Sequence, residues 1–196
     1  MKTTALRKLP AAALIAASLL VVGCGEHEKV TDAPSEGFYV DIGEVAYQVQ
    51  ISRILNPKAE EDRSYIIGLP SGVTPDLGPT EQWFAVFLRA QSYGDKSEEL
   101  ATRFRVVDTD GSAWEPIRLT EVNPFRWAPE ADMPKGIPAG YTYPGPNSVS
   151  GMGPVREGSL LLFKLDDSIF QNRPLVLEIF DPADPKKVAA TVDLDL

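Results

Sequence analysis

One cysteine and one histidine serve the whole chain of 196 residues. With Cys24 alone, no internal disulfide can form, and disulfide-stapled or cysteine-ligated zinc architectures are excluded. With His27 as the only imidazole, sitting in a short polar stretch, Ser–His and Cys–His nucleophile pairs find no base in the body of the chain. Long hydrophobic runs are missing too. The longest, Ala11 to Val22, is broken by Ser18 and covers 12 residues, whereas a membrane-spanning helix needs about 20. Basic residues are outnumbered, 19 against 28 acidic, for a net charge of −9. A chain this acidic is a poor partner for nucleic acid, which selects basic surfaces. No 3.6-residue period marks the chain after residue 37, where Lys96 to Thr102 holds a short helical turn at most. No repeat of fixed period appears.

What is present begins with Lys2, Arg7 and Lys8, a basic start without an acidic residue, followed by the short apolar run and then Val21-Val22-Gly23-Cys24. This arrangement reads as a signal peptide, and its last four residues resemble the lipobox of bacterial lipoproteins. The resemblance implies cleavage after Gly23 and acyl chains on Cys24, the lipid attachment residue. Each buried methylene contributes about 0.8 kcal/mol to anchoring. It further implies a cell-membrane location on the extracytoplasmic face, with the membrane as a partner through that lipid. Removing residues 1–23 would take away three positive charges and no negative one, lowering the net charge from −9 to −12. The expected organisation is a leader over 1–23, a lipidated flexible tether over 24–37, and a single domain over 38–196.

In that domain the dominant period is two. Val45, Tyr47, Val49 and Ile51 alternate with polar or small neighbours and predict a half-buried strand, which Asn56-Pro57 ends. Tyr65 to Leu69 is a second short apolar segment. Trp83 to Ala90 (WFAVFLRA) is apolar on both faces and predicts a central strand covered on two sides. Phe104 and Val106 share one face. Asp110-Gly111 predicts a turn, because glycine takes positive φ without steric cost. Leu161/Phe163/Leu165, Leu175/Leu177/Ile179 and Val188/Ala190/Val192/Leu194 complete about eight strands. The fold class is therefore all-β, an antiparallel immunoglobulin-like β-sandwich with a long Pro/Gly-rich loop, barrel closure being the alternative. Trp83, Phe84, Phe87, Trp114 and Phe163 are its candidate core.

The long loop is Trp127 to Arg156, with six prolines and five glycines. Loops of that length are often functional, and Trp127, Tyr141, Tyr143 and Asn147 are its candidate contact residues. Two readings stand: exposed aromatic contacts, or a rigid surface loop whose tyrosines pack back on a sheet.

From Gln82 to Pro182 the segments WFAVFLRAQSYGD, FRVVDTDGSAWEP, REGSLLLFKLDDSIF and PLVLEIFDP follow in order. Gly158, Leu160 and Leu162–Phe163 stand where a late "G-x-L-x-F" strand would lie. This resembles the immunoglobulin-like domains of secreted bacterial lipoproteins, in the immunoprotective-antigen-like group of unknown function. The resemblance implies a cell-envelope β-sandwich without catalytic residues.

Chemistry-bearing patterns are sparse. Asp108-Thr109-Asp110-Gly111 opens like a calcium loop but lacks the third oxygen ligand and the glycine at the sixth position, so no metal site is expected. Gly145 to Gly153 is glycine-rich, but prolines remove backbone donors from it and no helix follows, unlike a phosphate cradle. No cofactor is expected. The sequence thus predicts a non-enzymatic envelope module that binds an envelope protein or a glycan. A small hydrolase built on paired carboxylates, for which Asp166 and Asp167 are available, and a structural spacer are the alternatives.

Overall fold

The computed structural model describes residues 28–152 and 158–195. The leader and Cys24 lie outside the described residues. Among them ten strands form: β1 (Asp32–Ala33), β2 (Tyr39–Ile42), β3 (Val45–Leu55), β4 (Glu81–Ser92), β5 (Phe104–Val107), β6 (Ala113–Trp114), β7 (Thr142–Tyr143), β8 (Ser159–Asp166), β9 (Leu175–Phe180) and β10 (Val188–Leu194). They build two sheets, as expected of an all-β chain. The first runs β1-β10-β9-β5-β6; the second runs β2-β3-β4, with β8 and β7 sharing the far edge of β4. Every pairing is antiparallel except β1 on β10. The chain passes from β4 in the second sheet to β5 in the first, returns to β4 with β8, and goes back beside β5 with β9.

The two sheets bury one common core. Val45, Tyr47, Val49, Phe84, Val86, Leu88 and Phe163 face it from the second sheet; Phe104, Val106, Leu177, Ile179 and Val192 face it from the first. Trp114 is half-buried against this cluster. The doubly apolar β4 is explained by its second face. Trp83, Ala85 and Phe87 point away from the core and, with Leu160 and Leu162 of β8, form a separate cluster. Irregular chain covers it. Tyr65, Ile66, Ile117, Leu119 and Phe125 pack onto it, and Tyr65 meets Phe87 edge-on at 5.1 Å. The apolar segment at Tyr65 to Leu69 is thus a cover, not a strand.

Asn123, fully buried, ties that cover together. Its amide donates to the carbonyls of Tyr65 (2.9 Å) and Ile67 (3.0 Å), and its Oδ1 accepts from the Phe125 N–H (2.9 Å). Three single-turn helices, α1 (Glu60–Arg63), α2 (Pro129–Asp132) and α3 (Val149–Met152), interrupt the connections. None is long and apolar enough to cross a membrane. Lys96 to Thr102 is irregular rather than helical, with a single bridge from Glu98 to Ile137.

Two expectations are corrected. The alternation of β3 breaks between Val49 and Ile51, where the register shifts against β4. An extra residue flips every later side chain to the opposite face, so Ile51 is exposed and Ser52 is buried. The segment expected as tether is docked over its C-terminal part. Asp32–Ala33 adds to the first sheet, and Val30 and Asp41 exchange backbone and carboxylate hydrogen bonds at 2.6 and 3.0 Å. The Glu36 carboxylate accepts from the N–H groups of Ser52 (2.9 Å) and Asp195 (3.1 Å). Backbone pairing and carboxylate acceptors hold this stretch, which is why it shows no apolar period. Together β1 and β2 close one open side of the sandwich. The Asp110-Gly111 turn forms as expected, with Gly111 at φ +85°. Asp108 Oδ1 accepts from the N–H groups of Asp110 and Ser112, a fixed turn that engages the carboxylate of the apparent calcium-loop opening.

Candidate binding groove

The opposite side of the sandwich, between β6 and β8, is only partly closed. Here the short β6 gives way at Trp114 to an irregular run. That run reaches β8 at two points: the Ile117 N–H donates to the Leu162 carbonyl (2.7 Å) and the Trp127 N–H to the Leu160 carbonyl (3.0 Å). A groove of two adjoining lobes remains, of about 570 and 430 Å³, with Thr102 and Glu130 shared between their walls. This is the size range of small-ligand and peptide-side-chain sites.

The floor of the larger lobe is apolar, made by Phe104, Trp127, Leu160 and Leu161. Trp127 is held from several directions. Its indole N–H donates to the Ala101 carbonyl at 2.8 Å. Its ring meets Tyr143 at 5.0 Å and Phe104 at 5.6 Å, both edge-on. The Ala101 N–H in turn donates to the buried Tyr47 hydroxyl at 2.8 Å, so two aromatic side chains pin the rim between residues 97 and 104. Burial pushes the Tyr47 phenol well above its ordinary range, keeping it neutral.

Three arginines from separate segments stand on the walls. Arg103 is bound to the Pro185 carbonyl (2.6 Å) and Glu115 (3.0 Å) and lies 4.4 Å over the Phe180 ring. Arg126 donates to the Asn123 carbonyl (3.2 Å) and lies 3.9 Å from Asp132. Arg118 is exposed and has no hydrogen-bond or ion-pair partner among the described residues. The smaller lobe is shaped by the bridge between Glu98 and Ile137. There Gly136 takes φ +80°, and a Cβ would run into the Glu98 carbonyl oxygen.

The four contact residues named from the sequence part company. Trp127 lines the groove. Tyr143, in β7, is buried behind it. Its hydroxyl donates to Asp132 (2.7 Å) and accepts from the Ala128 N–H (3.1 Å), and burial, with Asp132 adding to it, drives its titration far upward. Tyr141 is 59% exposed and Asn147 is exposed, and neither lines the groove. Trp127 and Tyr143 are packed residues, each ring with aromatic neighbours and each polar atom with a backbone or carboxylate partner, and Tyr143 follows the packed-back alternative of the sequence reading.

The groove's arginines escaped the sequence reading because Arg103, Arg118 and Arg126 meet only through the sandwich topology. Their sole local signal is basic residues between 103 and 126 in an acidic chain. Among the described residues, no group of three His, Cys, Asp or Glu could hold a metal ion. Glu36, a carboxyl raised above its ordinary range chiefly by burial, sits at the other side of the sandwich, bonded to backbone amides. The arrangement at the groove suits binding: a partly buried aromatic floor, with Trp127 fixed by a hydrogen bond, beneath walls that carry three arginines and the carboxylates of Glu115 and Glu130. No protein-family model, curated protein or solved structure matches the chain.

Proposed function

We propose that the chain is a lipid-anchored, extracytoplasmic, non-enzymatic binding module of the cell envelope. It holds an envelope protein or glycan in the groove over Trp127. The groove carries this reading: an aromatic side chain immobilised at the base of a cleft, with an uncommitted arginine at the rim, is the composition of a binding hot spot. The leader ending in Gly23-Cys24 supports the anchor. An immunoglobulin-like sandwich is supported by the connectivity. β4 pairs with β8 in one sheet, β5 with β9 in the other, β10 follows β9, and β1 runs parallel to β10 at the edge.

The test is membrane fractionation and crosslinking pull-down from intact cells with the full chain, Cys24→Ala and Arg118→Glu. The reading expects Cys24→Ala to leave the membrane fraction or to remain unprocessed. It expects Arg118→Glu to stay anchored and lose a partner captured by the wild type. Full membrane retention of a processed Cys24→Ala would overturn the anchor, and unchanged capture by Arg118→Glu would overturn the groove.

A further inference from the structure

The chain enters the sandwich at one end of its strands. Lys29 Nζ pairs with Glu44 at 3.2 Å, and the carbonyl and N–H of Val30 both bond to Asp41. Glu44 belongs to the turn between β2 and β3, where Ile42 pairs with Val45 and Val45 with Ser92, the last residue of β4. The loop after β4 packs on that turn. The Tyr93 N–H donates to the Glu44 carbonyl (3.1 Å), and a Cβ on Gly94 would meet the Glu44 side chain at 2.9 Å. The stretch before β7 joins them, because the Ser92 N–H donates to the Tyr141 carbonyl at 2.9 Å. Two of these connections set out a tyrosine. Tyr93 is 40% exposed, with its hydroxyl donating to the Gly43 carbonyl (3.1 Å), and Tyr141 is 59% exposed. The opposite end is remote. β1 leads away from Lys29 parallel to β10, and the turn from Asp108 to Ser112 lies beyond the far ends of β5 and β9. The twelve residues of β4 alone span about 40 Å.

We propose that the end bearing Tyr93 and Tyr141 is a membrane-docking face, seated on the zwitterionic headgroup layer of the membrane that holds the anchor. The proposal rests on the lipid at Cys24. Four residues separate Cys24 from Lys29, a stretch that spans at most about 18 Å. The docking of residues 30–36 on the sandwich takes the rest of the expected tether out of play. However the domain tips, this end stays within that reach of the acylated residue, while the far end need not touch lipid. Tyrosine, with an apolar ring and a polar tip, is a side chain that settles at the bilayer interface. Charge selects the headgroup. Glu44 and Glu98 are met by Lys29 and Lys96 at 3.2 and 3.8 Å, whereas Asp95 and Glu99 are exposed. Anionic lipid repels exposed carboxylates, so zwitterionic headgroups are the surface this end accepts.

The experiment uses the protein purified from membranes and reconstituted in phosphatidylcholine vesicles that carry a nitroxide quencher at the headgroup. Acylation blocks the thiol of Cys24, the one cysteine of the chain, so a cysteine introduced elsewhere takes a fluorescent thiol label alone. Label on Ala139→Cys, two residues from Tyr141, should be quenched at least about threefold more than label on Ser112→Cys at the far end. Adding Tyr141→Ser to Ala139→Cys should remove at least half of that excess. Tyr141 is exposed, and circular dichroism checks that its replacement leaves the fold intact. Equal quenching at positions 139 and 112, or an excess that survives Tyr141→Ser undiminished, would overturn the docking face. A wild-type protein that itself takes up the label would show Cys24 without lipid, and would overturn the anchor reading and this proposal with it.

Discussion

Replacing Asn123 by alanine isolates what holds the outer cover on β4 and β8. The substitution removes three hydrogen bonds and leaves the Tyr65 and Ile67 carbonyls and the Phe125 N–H without their partner in a buried layer. At about 1 kcal/mol net for each bond, the cost is about 3 kcal/mol, a large share of a typical domain stability of about 5–15 kcal/mol. With a urea dependence of about 2 kcal/mol per molar for a domain of this size, the unfolding midpoint should fall by about 1.5 M. Tryptophan fluorescence reports on the layer directly, because the buried Trp83 lies under it and its indole N–H donates to the Pro75 carbonyl at 2.9 Å. Asn123→Asp should cost at least as much: it keeps the acceptor for Phe125 but sets a carboxylate against two carbonyls. A midpoint shift below about 0.3 M for Asn123→Ala would refute the reasoning, because water would then be replacing the amide at no cost.

Tyr47→Phe removes the acceptor of the Ala101 N–H; the expected loss of about 1–2 kcal/mol lowers Tm by about 3–6 °C, and a drop under about 1 °C would contradict it. Gly136→Ala forces both a positive φ and a close approach to the Glu98 carbonyl, so about 2 kcal/mol or more should be lost in a thermal melt, and an unchanged melt would show that the groove rim yields freely. The pH profile of stability should have two phases. Glu36 is raised by burial above its ordinary 4.5, so its folded form takes up a proton first and stability increases as pH falls from neutral toward about 4.5. Asp32 is held low by Thr191 and Thr31, Glu81 by Lys164 and the Gly78 N–H, and Asp166 by the Ser168 N–H. Their contribution is complete above the ordinary values of 3.8 and 4.5 and is lost as pH drops through the lower folded ones. Urea midpoints measured from pH 7 to pH 2.5 check both phases; a monotonic fall from pH 7 would eliminate the Glu36 contribution.

What the sequence makes legible here is what apolar patterning controls. WFAVFLRA announces a strand buried on both faces, and β4 is one. The alternations of β9 and β10 likewise mark their inner faces. Features set by partners are illegible. The bulge at Val49–Ile51 exists only against the register of β4. The docking of residues 30–36 rests on Asp41 and Glu36 acting as acceptors for distant N–H groups, and a carboxylate in a polar stretch looks the same whether solvated or bonded. Trp127 and Tyr141 sit in one Pro/Gly-rich stretch with similar surroundings in sequence. Distant partners, the Ala101 carbonyl 26 residues away and the rings of Phe104 and Tyr143, separate the packed ring from the free one.

The central position of β4 also sets a hazard during synthesis. Its first partner, β3, precedes it in the chain, but β8, which takes its other edge, starts only at Ser159, and the cover over its outer face is not complete until Phe125 has emerged. Until then a nascent chain presents an unpaired strand edge and an uncovered Trp83–Ala85–Phe87 face, the combination from which intermolecular β-aggregates start. The segment that gives the finished domain its core is therefore the one a chaperone must shield longest, and overexpression that outruns such shielding should yield inclusion bodies seeded at residues 83–90.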